Sequence, residues 1–93
     1  MNPRSLKNNS ELLDYLVQLK QHLEAHQYTA LAEEINQATL FANGSVTEFL
    51  HETQLALEHL TKEHPRNLSK EQLKDVESVI LQIKDAFQKI GGA

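Results

Sequence analysis

Leu73, Val76, Ile80, Ile83, Phe87 and Ile90 follow one another at spacings of 3, 4, 3, 4 and 3 residues. A strand shows alternate residues on one face, whereas a helix of 3.6 residues per turn gathers these six into one apolar stripe. A seam of this kind buries itself against other helices, as in bundles and coiled coils. Val79 and Ala86 broaden it. No segment shows the period-two alternation of a strand, and Leu, Glu, Gln, Lys and Ala favour helix along most of the chain. The fold class expected is therefore all-α.

Caps and breakers divide the rest into an up-down antiparallel four-helix bundle, with helices over about 10–26, 29–43, 46–63 and 70–90. Ser10 is the expected N-cap of the first helix, and Leu12, Leu16, Leu19 and Leu23 are its inner stripe. Tyr15 flanks that stripe, and Leu13 and Val17 widen it. The second helix buries Leu31, Ile35, Ala38 and Ala42 and is expected to stop at Gly44 in the left-handed conformation. Ser45-Val46-Thr47-Glu48 and Ser69-Lys70-Glu71-Gln72 fit the capping box, in which the Ser side chain bonds the third amide and the Glu or Gln reaches back. Between them Val46, Phe49, Leu50, Thr53, Ala56, Leu57 and Leu60 form an inner face. Pro65 ends it, because the residue before proline is pushed out of helical geometry. Residues 1–9 are expected to be a flexible polar N-terminal arm, residues 10–91 one helical domain, and Gly91 the final helix stop. Short connections make consecutive helices antiparallel neighbours.

Composition sets outer limits. The chain has 93 residues, no Cys and a formal net charge of -4. That size allows one domain, and without Cys there is neither a disulfide framework nor a thiolate metal site. An acidic chain is a poor candidate for nucleic acid, whose binding rests on Lys and Arg neutralising phosphates. The longest uninterrupted apolar runs are too short to span a membrane. The start of the sequence lacks the apolar stretch of a signal peptide, so a cytoplasmic location is expected.

The charge is unevenly placed. Between Lys20 and Lys62 there is no Lys or Arg, while Glu24, Glu33, Glu34, Glu48, Glu52 and Glu58 fall in that interval. Residues 21–61 thus carry -6, and the flanking segments carry +1 each. On a helical wheel Leu40 falls opposite the buried stripe of the second helix, beside Glu33, Asn36 and Gln37. Leu55 falls outside the stripe of the third, with Glu48, His51, Glu52 and His59 around it. An apolar anchor ringed by acids suits a protein interface. With Glu34 and Glu58, these residues form the expected contact surface for a basic protein partner. The alternative is a small structural or regulatory bundle that homodimerises through the seam of the fourth helix or through Leu40 and Leu55.

Catalytic and metal motifs are incomplete. His22 and His26 share a helix face, but the sequence places no third ligand with them. Glu48-Phe49-Leu50-His51 has the Glu-x-x-His spacing of di-iron bundles, yet occurs once, and Glu48 belongs to a capping box. Asn43-Gly44-Ser45 is a helix joint rather than a phosphate loop. The inner stripes are almost wholly apolar, leaving no acid or base for a buried active site. The sequence therefore reads as a non-enzyme with no cofactor and no metal.

Tyr28-Thr29-Ala30-Leu31-Ala32-Glu33-Glu34-Ile35 and Gly44-Ser45-Val46-Thr47-Glu48-Phe49-Leu50, in an acidic, Cys-free helical chain of this length, resemble small helical immunity proteins. Bacteria make these against their own secreted toxins, including those of contact-dependent growth inhibition. The resemblance covers roughly the middle half of the chain. It implies a stoichiometric, non-catalytic inhibitor whose acidic surface blocks a basic toxin, often a nuclease.

Overall fold

The computed structural model describes residues 9–91. It is an all-α four-helix bundle: α1 Asn9–Ala25, α2 Thr29–Thr39, α3 Val46–Glu63 and α4 Lys70–Gly91. A 3-10 turn, Leu40–Asn43, continues α2, and another, Pro65–Asn67, precedes α4. Each helix packs on the next in sequence, α1 on α2, α2 on α3 and α3 on α4. One contiguous core joins Leu16 and Leu23 of α1, Ile35 of α2, Phe49 and Leu57 of α3, and Val76 and Val79 of α4.

The caps explain where the helices begin. At α4 the box is reciprocal: the Gln72 amide donates to Ser69 Oγ at 3.1 Å, and the Ser69 amide donates to Gln72 Oε1 at 3.0 Å. At α3 the Glu48 amide donates to Ser45 Oγ at 3.5 Å. His64, at φ -134, stands between α3 and Pro65, as the steric rule for a residue before proline requires.

Several boundaries differ from the sequence pattern. Helix α1 opens at Asn9, one residue inside the expected arm, so Ser10 lies within the helix rather than at its cap. The rest of the arm, residues 1–8, lies outside the described residues, as do Gly92 and Ala93. Helix α4 runs through Gly91, one residue past the expected end. Gly44 has φ -105, so it is not the left-handed stop its residue type implied. The left-handed position is Gln27, at φ 65. There the Tyr28 amide donates to the Leu23 carbonyl at 2.9 Å and the Gln27 amide to the Glu24 carbonyl at 3.0 Å. This is a Schellman motif, which ties off the last carbonyls of α1 and tucks Tyr28 against the core.

The second helix tightens at its end. Thr39 Oγ1 donates to the Asn36 carbonyl at 2.6 Å, and the next four residues wind as 3-10 helix. A 3-10 turn has three residues per turn, so side chains rotate further per residue than in an α-helix. Phe41 as well as Ala42 is consequently half-buried against the core. The stripes otherwise hold, with four corrections. Val46, at the first position of α3, is 45% exposed, and Val17 is 38% exposed, so neither belongs to the inner face. Ala32 and Leu68, outside the expected stripes, are buried. Of the α4 seam, Val76, Ile80 and Ile83 are buried and Leu73 and Phe87 half-buried, while the side chain of Ile90 lies outside the described residues.

Thr53 is fully buried, and its hydroxyl has no hydrogen-bond partner among the described residues. Thr39 and Thr61 relieve their hydroxyls on the carbonyls three residues earlier. A buried hydroxyl without a partner costs about 1–3 kcal/mol. Thr53→Val keeps the shape and removes the stranded group. It should raise the free energy of unfolding by about 1 kcal/mol, or about 4–8 °C in Tm for a domain of this size, as read by thermal denaturation.

Candidate protein-binding surface

Three interactions bind the outer faces of α2, α3 and α4 into one continuous surface. His59 Nδ1 on α3 lies 2.6 Å from Glu34 Oε2 on α2. Lys84 Nζ on α4 lies 3.7 Å from Glu58 Oε2 on α3. The His51 ring stands edge-on to Phe87 of α4 with centroids 6.5 Å apart. The first contact links α2 to α3, and the other two link α3 to α4.

Every residue expected in the contact surface is at least partly accessible. Glu33, Glu34, Gln37, Leu40, Glu48, His51, Leu55 and His59 are exposed, while Asn36, Glu52 and Glu58 are intermediate. Leu40 is 65% exposed and Leu55 49%. Along α3, Glu48, Glu52 and Leu55 fall at i, i+4 and i+7 and form one row. Phe49, buried between Glu48 and Leu50, pins the start of that row to the core. On α2, Gln37 Nε2 donates to Glu33 Oε1 at 2.7 Å, which orders both side chains without changing the charge.

The structure also divides the acidic segment. Glu33, Glu48 and Glu52 show no ion-pair partner among the described residues, whereas Glu58 faces Lys84 and Glu34 faces His59. The acidic field is therefore strongest over α2 and the first half of α3. Toward α4 it gives way to mixed charge, with Lys62, Glu77 and Lys84 in the neighbourhood. A groove of about 480 Å³ opens there, lined by Glu58, Thr61, Lys62, Glu77, Ile80 and Leu81. Leu81 is 66% exposed. It was absent from the expected surface, although its place opposite the seam of α4 could have been read from the wheel. The Glu58–Lys84 bridge had no such signal, because the partners are 26 positions apart on different helices.

Helix α4 and the rest of the described chain offer no buried acid or base. Among the described residues, no group of three or more His, Asp or Glu is arranged to hold a metal ion. Glu48 and His51 of the Glu-x-x-His sequence are both exposed on the outside of α3. No described helix is long and apolar enough to cross a membrane. No protein-family model matches the sequence, and no curated protein or solved structure matches it either.

Proposed function

We propose that the chain is a non-catalytic binding protein that holds a basic protein partner on the acidic face of α2 and α3. The most concrete form is an immunity protein that neutralises a basic toxin, such as a nuclease, made by the same bacterium. The observation that carries this reading is the accessible row Glu48, Glu52 and Leu55 on α3, together with exposed Glu33 on α2 and exposed Leu40 in the 3-10 turn that follows it. Apolar anchors supply the desolvated centre of an interface, and the surrounding carboxylates steer a cationic partner and set its register. Leu55 is presented on α3, and the Glu34–His59 contact links that helix to α2.

A second reading is a homodimeric structural or regulatory bundle, favoured by Leu81 beside the α3–α4 groove. Sedimentation over a concentration series separates the two: the binding-protein reading expects a monomer until partner is added. The partner reading has its own test in salt. A tagged copy in the source cells should capture a basic protein, and the affinity of the purified pair should fall about tenfold or more between 50 and 500 mM salt, as screening shortens the reach of the carboxylates. A salt-independent affinity, or a stable dimer that takes up no partner, would count against it.

A further inference from the structure

We propose that His22 and His26 form a two-imidazole chelate for a borderline divalent ion, Zn2+, Ni2+ or Cu2+, at the C-terminal end of α1. The residues are one helical turn apart, and their ring centroids lie 4.4 Å apart with planes tilted by 53°. With metal–nitrogen bonds of about 2.0–2.1 Å, each ring centroid sits about 3.2 Å from the ion, so two imidazoles on one ion span about 4.5 Å at a nitrogen–metal–nitrogen angle of about 90° and about 5.2 Å at the tetrahedral angle. The observed spacing is close to the right-angle span and shorter than the tetrahedral one, which favours Cu2+ or Ni2+ over Zn2+. His26 is exposed and His22 partly so, which leaves the site open to solvent. Neither ring has a hydrogen-bond partner among the described residues. By contrast, His59 is already engaged by Glu34.

The end of α1 is held for this purpose by its own backbone. The Schellman turn at Gln27 fixes the last turn, and the Tyr28 ring stacks on His26 with centroids 6.0 Å apart and planes 19° from parallel. The C-terminal end of a helix carries the negative pole of its dipole, which favours a cation there. Spacing alone argued against a metal because no third ligand accompanies the pair. The ring spacing brings both imidazoles within reach of one ion, with the remaining positions left to water. Imidazole suits Zn2+, Ni2+ and Cu2+, and the stability order puts Cu2+ tightest.

The test is a titration of the full chain with each metal chloride alone at neutral pH, read against a competing chromophoric chelator. The expected result is one equivalent bound, Cu2+ tightest, and a loss of about tenfold or more in affinity in each of His22→Ala and His26→Ala. His22→Gln, which keeps the length and polarity of the side chain, should lose affinity equally, and far-UV circular dichroism should show unchanged helix in all three. The His59→Ala/His64→Ala variant should bind as the wild type does. Absence of binding, wild-type affinity in the His22 or His26 variants, or loss confined to the His59/His64 variant would overturn the assignment.

Discussion

Phe49→Ala should lower the free energy of unfolding by about 3–5 kcal/mol, the cost of emptying a fully enclosed aromatic site. Phe49 is 1% exposed and is the largest of the fully buried side chains. A domain of this size holds only about 5–14 kcal/mol in total, so the variant gives up a large part of its margin. Its effect reaches the surface as well. Phe49 lies in the first turn of α3, next to Glu48, so it anchors the end of α3 that carries Glu48 and Glu52. Urea denaturation of the variant should show an earlier midpoint with little change in slope. A loss below about 1 kcal/mol would mean that the start of α3 is not docked as described.

How much of this could be read from residues alone depended on the range of the cause. The caps Ser45 and Ser69 act over three residues, and both are where the pattern put them. The inner stripes depend on one helix's periodicity, and Leu16, Ile35, Leu57 and Val76 follow it into the core. The stop of α1 was obscured because Gln27 takes the left-handed position that Gly most often fills, at a steric cost that the two Schellman bonds offset. Gly44 was misleading in the opposite sense: a Cβ there would meet only the Phe41 carbonyl at 3.6 Å, an ordinary contact. The candidate surface was legible as a set of exposed positions on α2 and α3. Its electrical shape was not, since the pairing of Glu58 with Lys84 and Glu34 with His59 arises only when separate helices are laid side by side.

The second large effect falls on binding. Reversing Glu48 and Glu52 together to Lys replaces two carboxylates on the α3 row with two cations facing the proposed basic partner. Juxtaposing like charges across an interface costs several kcal/mol, which corresponds to a loss of about 100-fold or more in affinity. The fold should bear the change with a smaller cost. Glu48 lies in the first turn of α3, where an acid is favoured and a cation is not, a difference of about 0.3–1 kcal/mol. Its cap bond to Ser45 comes from the backbone amide and survives the substitution. Neutral Glu48→Gln/Glu52→Gln should fall between wild type and the reversal, which separates loss of attraction from gain of repulsion.

The most direct test of a basic partner on the α2–α3 face is therefore the affinity of the Glu48→Lys/Glu52→Lys variant for the basic protein captured by the wild type. It should be measured at low and high salt beside a thermal denaturation of both chains. A folded variant that binds about 100-fold more weakly at low salt, with a flattened or inverted salt dependence, is the result predicted. A folded variant with wild-type affinity and wild-type salt dependence would contradict the account.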